Sequence, residues 1–451
     1  MITTRQPVSL WPQEDDLGLM TDLYQLTMMA GYFRSGMADR RAEFELFVRR
    51  LPHGRAYLVL AGLEQALAGV LAMRMSADRI AWLRGLNEFK HLDPSLLDAL
   101  AAVRFEGDVW AMAEGTVVFP GETLVRVSAP LPQAQWVETY LLAALGYPTL
   151  VASKAARMTM AARGRPLYEF GARRGHGPQA GLLAARSAYL AGFAGTSLVE
   201  AGRRLEIPVV GTMGHSWIQA FDREEQAFAA YAQIYPGGAT LLVDTYDVLE
   251  GVRKAAAIEP AIAAVRIDSG ELDSLARAAR AILDEHGRAG VKILCSGDLD
   301  ETKIARLVAA GAPIDGFGIG VELVTSRDAP ALSMVYKLVE LEGQGKYKLS
   351  PGKRTYPMAK QVYRRRDPAG RFAGDLVARA DEPAAGEPLL ERVVQGGRLV
   401  HDPPSLIRVR ERCRDQLAAL PDHLLALDAV RDYPVVYSDR LEADARRLMG
   451  E

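Results

Sequence analysis

Short apolar runs alternate with helical patterns from about residue 149 to residue 340. Runs of this kind are typical of parallel strands that are buried on both faces. Seven strand-plus-helix units are visible, with strand-like runs at 166–170, 193–197, 208–212, 240–245, 264–268, 291–298 and 314–320. The alternation predicts an α/β barrel, and an open doubly wound sheet is the alternative. Residues 334–343 are the candidate for an eighth strand.

The flanking parts of the chain have a different character. Residues 16–35 show an amphipathic helical pattern, and Asp93 with the following proline indicates the start of a later helix. Residues 103–130 are rich in β-branched residues, glycine and proline, which favours a small antiparallel sandwich or barrel. Residues 343–356 are rich in glycine and lysine and are predicted to form a loop, and short strands and two helices are predicted after it.

We therefore predict three regions. The first is an N-terminal α/β domain (1–148) that includes the small β-sandwich. The second is a catalytic α/β barrel (149–342). The third is a loop and C-terminal extension (343–451) that packs back on the N-terminal domain. A chain of 451 residues is long enough for two or three domains.

Composition narrows the class of protein. Hydrophobic residues make up 49% of the chain and charged residues 24%, and the formal net charge is −2, so there is no global basic field for nucleic acid or anionic membranes. Cys295 and Cys413 form neither a disulfide framework nor a zinc pattern. The N-terminus lacks the apolar core of a signal peptide, and no apolar run could span a bilayer. We expect a cytoplasmic protein that binds neither nucleic acid nor membrane.

Polar side chains follow most of the predicted strands. They are the segment 169–173, Ser197, His215, Asp244, Asp268, the segment 296–298 and the segment 318–320. In a barrel the carboxyl ends of the strands meet at one mouth, so these side chains are expected to face one another. Lys154 and Arg157, one helical turn apart, are interpreted as a solvated helix surface.

His215 is the most informative of these positions. A lone histidine is commonly a buried structural residue, but Asp244 and Asp268 lie on neighbouring strand ends and either could hydrogen-bond the imidazole. Such a partner prepares a histidine as a base or nucleophile. Asp268 and Glu271 are candidate Mg²⁺ ligands, and the alternative is that Asp247 and Asp268 cap helices.

Two further features indicate an anionic substrate. The glycine-rich turn at 316–320 could bind phosphate through its backbone, and the alternative is a tight strand-to-helix turn. Arg173 could pair with phosphate, and Phe170 could stack on an aromatic ring or belong to the core. These features favour phosphoryl or phosphoribosyl transfer.

Several motifs together resemble nicotinate phosphoribosyltransferases between about residues 18 and 366. They are TDLYQLTM, FELFVRRLPHGRAYLVLAGLE, EFGARRGHGPQAGLLAARSAYLAGFAGTS, GTMGHSW, RIDSGEL, CSGDLDE and GFGIGVELVTSRDAPALSMVYKLVE. The resemblance implies a type II phosphoribosyltransferase-like irregular α/β barrel and a homodimer with a shared active site. It also implies NAD salvage, in which ATP hydrolysis drives formation of nicotinate mononucleotide and pyrophosphate from nicotinate and phosphoribosyl pyrophosphate, with Mg²⁺.

The resemblance also implies residue roles. His215 would be phosphorylated by ATP, with Asp244 and Asp268 beside it. The implied substrate contacts are Tyr24, Phe170, Arg173, Ser197, Arg266, Ser296, Gly297, Gly318 and Gly320. Among these, Arg266 and Asp268 would contact the ribose hydroxyls, and the three glycines would hold phosphate. Phe170 would stack on one face of the pyridine ring and the partner subunit's Tyr24 on the other.

Ser197 bears on the choice of acceptor. The related nicotinamide-using enzyme carries an aspartate at this position, which would accept a bond from an amide and repel the carboxylate of nicotinate. A serine is neutral and can donate to a carboxylate. The alternatives are a phosphoribosyltransferase for nicotinamide or quinolinate and a non-enzymatic ligand-binding relative. His215 weighs against the non-enzymatic relative, because a pure binder does not need a phosphorylatable histidine.

Overall fold

A computed structural model describes residues 10–348, 355–427 and 432–450. The first part contains a 3-10 helix (Glu14–Leu19), α1 (Leu23–Arg34), β1 (Arg41–Val48), β2 (Leu58–Val59), α2 (Leu63–Ala72), α3 (Ala77–Arg84), α4 (Pro94–Ala102), β3 (Asp108–Met112), β4 (Val117–Val118), β5 (Thr123–Pro130), α5 (Leu131–Trp136) and α6 (Glu138–Ala161).

The middle part contains β6 (Leu167–Glu169), a 3-10 helix (Ala172–Arg174), α7 (Pro178–Leu190), β7 (Gly195–Thr196), α8 (Val199–Leu205), α9 (His215–Gln219), α10 (Glu224–Ile234), β8 (Thr240–Leu242), α11 (Val248–Ala256), β9 (Ala264–Ile267), α12 (Leu272–Glu285), β10 (Lys292–Cys295), α13 (Glu301–Ala309), β11 (Gly316–Ile319) and α14 (Val321–Val324).

The last part contains β12 (Met334–Leu341), β13 (Gln344–Gly345), β14 (Lys360–Arg366), β15 (Phe372–Arg379), β16 (Glu387–Pro388), β17 (Leu390–Gln395), β18 (Arg398–Leu399), α15 (Leu406–Ala418), α16 (Asp422–Leu425), β19 (Val435–Tyr437) and α17 (Asp439–Met449).

Strands β6 to β11 form a parallel sheet in the order β7-β6-β11-β10-β9-β8. The first and last strands along the chain, β6 and β11, are neighbours, as they are in a barrel. The sheet nevertheless stays open between β8 and the edge at β7, where Val209 adds a parallel bridge to Thr196. The curled sheet is an incomplete barrel, so the predicted irregular α/β barrel is confirmed.

The prediction of an eighth barrel strand at 334–343 is wrong. Strand β12 pairs antiparallel with β1, outside the barrel. Five of its eight residues are partly exposed, Lys337 and Glu340 among them, and the other three are buried. A strand with this pattern suits a sheet that has one solvated face, whereas a barrel strand is buried on both faces.

The strands predicted within 103–130 are confirmed as antiparallel. Strand β4 pairs with β2, whereas β3 and β5 share a sheet with later parts of the chain. The order of this sheet is β13-β12-β1-β5-β3-β17-β18, and β16-β14-β15-β19 form another. The extents of the three predicted domains stay predictions. The predicted loop at 343–356 is wrong at Gln344–Gly345, which pair with β12 as the short strand β13, and residues 349–354 lie outside the described residues.

Helix α6 connects the two hydrophobic cores. Leu141 and Leu145, before Pro148, pack in the core of the antiparallel sheet, while Val151 and Ala155 pack in the core of the barrel. The helix runs without a break through Pro148, from Glu138 to Ala161. The pattern at 16–35 is instead divided between the first 3-10 helix and α1.

The interpretation of Lys154 and Arg157 as a solvated surface is wrong, because α6 is covered on both sides and both residues are buried. Helical spacing shows which residues share a face but not what packs on that face. Across the parts of the chain that the structure describes, no helix combines the length and the apolar character that crossing a membrane requires.

Candidate functional site

The guanidinium of Arg266 joins three segments at the edge of the parallel sheet where the carboxyl ends of its strands meet. Its Nη1 donates to Thr212 Oγ1 at 2.8 Å, its Nη2 to Asp268 Oδ1 at 2.9 Å and its Nε to Ser296 Oγ at 2.8 Å. The side chain is only 13% exposed. Because three partners fix one planar group, Arg266 presents a rigid positive charge at this edge.

Asp268 is held in its ionised form. Its partial burial alone would raise the pKa of the carboxyl, but hydrogen bonds from Ser296 and Arg266, together with the charges of Arg266 and His215, hold the pKa below its ordinary value. The side chain remains 31% exposed. Asp268 therefore offers a negative charge and free acceptor capacity to a ligand at neutral pH.

Asp244 supports the same loop from β8. Its Oδ2 accepts hydrogen bonds from the backbone N of Asp268 at 3.2 Å and from Ser269 Oγ at 2.6 Å. Its Oδ1 is buried and accepts no hydrogen bond from the described residues. A buried carboxylate oxygen without a donor is costly, so this atom is a natural acceptor for a bound ligand or ion.

His215 is exposed and is the first residue of α9. Its Nδ1 lies 3.1 Å from Thr245 Oγ1, so the described partner of the imidazole is a hydroxyl and not Asp244 or Asp268. Asp268 is still close enough for the charges to interact. The sequence does not single out Thr245, although it directly follows Asp244. With Nδ1 engaged, Nε2 is the nitrogen left to react.

Glycine is present for different physical reasons at the three positions predicted to hold phosphate. Gly297 has φ +101°, and a Cβ there would lie 2.1 Å from the carbonyl oxygen of Asp268. A Cβ on Gly318 would lie 2.6 Å from the ring of Phe170. Around Gly320 a Cβ would meet nothing within 4 Å. The first two glycines therefore allow close packing, and Gly320 borders open space that an anion could occupy.

Phe170 closes one side of the edge. Its ring is partly buried, and Arg266 Cζ lies 5.5 Å from the ring centroid. Arg173 is exposed on the 3-10 helix that follows, and Ser197 is partly buried at the end of β7. The backbone N of Ser197 donates to the Glu169 carbonyl at 2.9 Å. An aromatic side chain, a cation and a hydroxyl therefore lie on the two neighbouring loops that follow β6 and β7.

Glu169 connects the loops that follow β6 and β7, although the sequence indicates it only as the start of a polar segment. Its buried carboxylate accepts from the backbone N of Gly171 at 2.5 Å and from Thr196 Oγ1 at 2.6 Å. Thr196 Oγ1 in turn accepts from the backbone N of Leu198 at 3.0 Å. Burial raises the pKa of Glu169, and these bonds oppose that effect. The signal in the sequence is an acid inside the apolar run 166–170.

Two predicted site residues lie apart from this network. Tyr24 lies on α1 and is 47% exposed, and its partial burial and the nearby Glu138 raise the pKa of its hydroxyl to about 12. Glu271 is exposed at the start of α12. Over the residues that can be described, no group of three or more His, Cys, Asp or Glu is arranged to hold a metal ion. The metal role of Asp268 and Glu271 and the role of Tyr24 stay predictions.

The alternative of helix capping is confirmed for Asp247, whose Oδ1 accepts from the backbone N of Glu250 at 2.9 Å at the start of α11. It is wrong for Asp268, because Glu271 is the residue that precedes α12. The two acidic loops therefore differ. The side chain of Asp247 serves the fold, and the side chain of Asp268 faces the Arg266 network.

Three family models match the chain. They are the nicotinate phosphoribosyltransferase N-terminal domain at residues 19–146, the nicotinate phosphoribosyltransferase family at 166–369 and the nicotinate phosphoribosyltransferase C-terminal domain at 383–444. Together they extend over most of the chain, and the match at 166–369 contains the residues of the Arg266 network.

Individual relatives agree with the family models. The chain is 46% identical over 438 residues to nicotinate phosphoribosyltransferase pncB2 of Mycobacterium tuberculosis, covering 95% of this chain and 93% of the relative. It is 36% identical over 464 residues to the nicotinate phosphoribosyltransferase of Bacillus subtilis, covering 95% and 94%. The crystal structure of human nicotinic acid phosphoribosyltransferase superposes with a TM-score of 0.83 at 31% identity, covering 95% and 99%.

Proposed function

Because the chain belongs to the nicotinate phosphoribosyltransferase family, we propose that it converts nicotinate and phosphoribosyl pyrophosphate to nicotinate mononucleotide and pyrophosphate, and that ATP drives the reaction by phosphorylating His215. The observation that carries the proposal is the position of His215. It is exposed at the same edge as Arg266, Asp268 and Ser296, and it lies close enough to Asp268 for their charges to interact.

The chemistry requires positioning more than proton transfer. Displacement of pyrophosphate from C1 of the ribose passes through an oxocarbenium-like state, and the ring nitrogen of nicotinate already carries a lone pair. The enzyme must therefore hold the reactants in line and stabilise the charges that separate. Arg266 and the ionised Asp268 would orient ribose hydroxyls. Gly320 would border the space for phosphate, and the close packing that Gly297 and Gly318 allow would shape the loops around that space.

The acceptor would occupy the opening beside Phe170. The pyridine ring would stack on Phe170, while Arg173 and the Ser197 hydroxyl would face its carboxylate. Glu169 supports this arrangement because its carboxylate fixes Gly171 and Thr196, which lie in the two loops concerned.

Magnesium would assist the leaving group. The protein donors that fit are the Asp268 carboxylate, the unpartnered Oδ1 of Asp244 and, farther out, Glu271. Among the described residues they form no group of three or more that could hold the ion without other ligands, so water and the substrate would supply the remaining ligands. When bound, Mg²⁺ would neutralise charge on the departing pyrophosphate.

A homodimer would complete the site. Apolar side chains on and near α1 are unusually exposed: Met20 at 43%, Leu23 at 46%, Tyr24 at 47% and Met28 at 37%. An exposed apolar patch of this kind is typical of a protein interface. In a dimer formed through this surface, the partner subunit's Tyr24 would cover the pyridine ring opposite Phe170.

The test is product formation from phosphoribosyl pyrophosphate and Mg²⁺ with nicotinate or nicotinamide, each with and without ATP. We expect nicotinate mononucleotide, a faster rate with ATP, and ADP release that tracks product. Equal use of nicotinamide would show that the acceptor is misassigned. A turnover rate that does not change when ATP is added would contradict the proposed coupling but not the transfer reaction.

A further inference from the structure

A cluster of buried ions lies beside the candidate site and takes no part in the chemistry proposed above. Its members are Arg55, Lys154, Arg157, Glu301 and Asp328. The side chains of the first four are at most 8% exposed, and only Asp328, at 41%, reaches solvent. We call these five residues the α6 ion cluster.

Two cations of this cluster bridge the same two carboxylates. Lys154 Nζ lies 2.8 Å from Glu301 Oε2 and 2.7 Å from Asp328 Oδ1. Arg55 Nη1 lies 3.0 Å from Glu301 Oε1, and its Nη2 lies 2.8 Å from Asp328 Oδ2. Arg157 differs, because its Nε reaches Glu301 Oε1 at 3.1 Å while its Nη2 donates to the Leu427 carbonyl at 3.0 Å.

The two bridged carboxylates belong to neighbouring loops of the site. Glu301 is the first residue of α13 and follows the turn at 296–298, and Lys303 Nζ fastens that turn by a 2.7 Å bond to the Asp298 carbonyl. Asp328 ends the segment that begins at Gly320. The bridges therefore connect the loop that carries Ser296 and Gly297 with the segment that begins at Gly320.

Stability alone is a weak reason for such a cluster. Removing charges from water is expensive, and well-packed apolar residues often serve a core equally well. Burial would raise the pKa of Glu301, yet Lys154 and Arg55 lower it to about 2, so the carboxylate stays charged across the range of any assay. A bridge between charged groups has a fixed geometry, which apolar packing of α6 against the loops would not impose.

We propose that Lys154 and Arg55 are positioning residues that set the spacing between the two loops around the phosphates of phosphoribosyl pyrophosphate. They act through Glu301 and Asp328 without touching the substrate. The inference rests on the proposed function, because it takes these loops to be the phosphate site. Its signature is a defect confined to phosphoribosyl pyrophosphate, since the nicotinate loops at Phe170 and Ser197 are fixed by Glu169 instead.

The experiment compares Lys154→Met with Arg157→Met in the full chain. Both variants remove one buried cation of α6 that contacts Glu301, but only Lys154 also bridges to Asp328. We expect Lys154→Met to raise the KM for phosphoribosyl pyrophosphate about tenfold or more, with the KM for nicotinate unchanged. Arg157→Met should leave both KM values near those of the wild type.

Asp328→Asn guards against a variant that fails to fold. Asp328 is 41% exposed, so the substitution should disturb the core less than Lys154→Met does. It removes the negative charge and one of the two acceptor oxygens that face Lys154 and Arg55, so it weakens both bridges and should raise the same KM. Lys154→Arg keeps the positive charge, so its KM for phosphoribosyl pyrophosphate should rise less than that of Lys154→Met. Melting temperatures of all variants separate a loss of positioning from a loss of fold.

Calorimetric binding of phosphoribosyl pyrophosphate with Mg²⁺ distinguishes failure of the positioning role from failure of the proposed function. If wild type binds and Lys154→Met and Asp328→Asn bind equally well, the positioning role is wrong and the proposed function stands. If the KM for nicotinate rises in step, or Arg157→Met gives the same defect, the cluster is structural and the inference is again wrong. If the wild type itself does not bind, both proposals are wrong.

Discussion

Two arginine–carboxylate pairs in this molecule have the same chemistry and opposite surroundings. Arg364 and Asp375, on β14 and β15, are both 0% exposed and share a bidentate bridge, and Arg364 Nη1 also donates to the Val117 carbonyl at 2.9 Å. Arg266 and Asp268 form a single contact at 2.9 Å at the mouth of the barrel, where Asp268 is 31% exposed.

The difference shows how to distinguish a structural pair from a functional one. Around Arg364, neighbours complete the site: Tyr433 donates to Asp375 at 2.8 Å, and Phe372 lies 4.3 Å from the guanidinium. Glu122 Oε1, 3.6 Å from Arg364 Nη2, has no hydrogen-bond partner among the described residues either, but both side chains are 0% exposed, so this site is closed to solvent and to ligands. Around Arg266, the pair faces solvent and a neighbouring buried oxygen, Asp244 Oδ1, has no partner among the described residues. Unused hydrogen-bonding capacity at an open edge is what a substrate site requires.

The largest effect is expected on stability, from breaking the buried pair of Arg364 and Asp375, which we call the closed pair; Arg266 and Asp268 are the open pair. Arg364→Met leaves the Asp375 carboxylate buried without its cation, close to Glu122, whose pKa burial already raises. We expect the free energy of unfolding to fall by about 3–5 kcal/mol, measured by urea denaturation. The KM values of the folded fraction should not change. If the variant keeps wild-type stability, burial is not the property that separates the two pairs.

Arg266→Met should have the opposite effect, with a large loss of activity and a small loss of stability. The substitution removes the group that joins Thr212, Asp268 and Ser296, so we expect kcat/KM to fall by about 10²- to 10³-fold. Because Asp268 can be hydrated when it loses its partner, the free energy of unfolding should change much less than in Arg364→Met. A stability loss as large as that of Arg364→Met, with normal kinetics, would make this pair structural too.

His215→Ala tests the open edge without touching either pair. The side chain is exposed and its described hydrogen bond is with Thr245, so the fold should tolerate its loss. We expect ATP to stop accelerating the reaction while slow ATP-independent transfer continues. Mass spectrometry of wild type after incubation with ATP should locate an acid-labile phosphate at this residue. An equal loss of both activities would contradict the division of roles between His215 and the Arg266 network.

The sequence predicts the open pair better than the closed one. Strand periodicity and the rule that strand ends meet at one mouth are local signals, and they bring together Arg266, Asp268 and Ser296. Thr212 and Thr245 are missed because small hydroxyl residues in turns carry no distinctive pattern. The neighbours of Arg364 come from distant segments, which no periodicity connects.

The same limit explains the errors in the fold. The period of β12 correctly predicts a strand, but sheet membership depends on a partner, β1, nearly three hundred residues away in the chain. Burial of Lys154 depends likewise on Glu301 and Asp328, which later loops bring to α6. Local physics decides which element forms, and packing between distant segments decides which of its faces is covered.

Ser197→Asp has the smallest expected effect and tests the open edge most finely. A carboxylate here would face that of nicotinate, in an opening that already contains the buried Glu169. We expect the KM for nicotinate to rise about tenfold, and the preference for nicotinate over nicotinamide to fall by at least that factor. Ser197→Asn is the matched control, since it changes the size of the side chain similarly without adding charge, and it should keep most of the preference. The KM for phosphoribosyl pyrophosphate should stay constant in both variants, because Ser197 lies at the end of β7 and the glycine loops follow β10 and β11.

If Ser197→Asp uses nicotinate as well as wild type does, the carboxylate is recognised elsewhere, and Arg173 becomes the residue to change next.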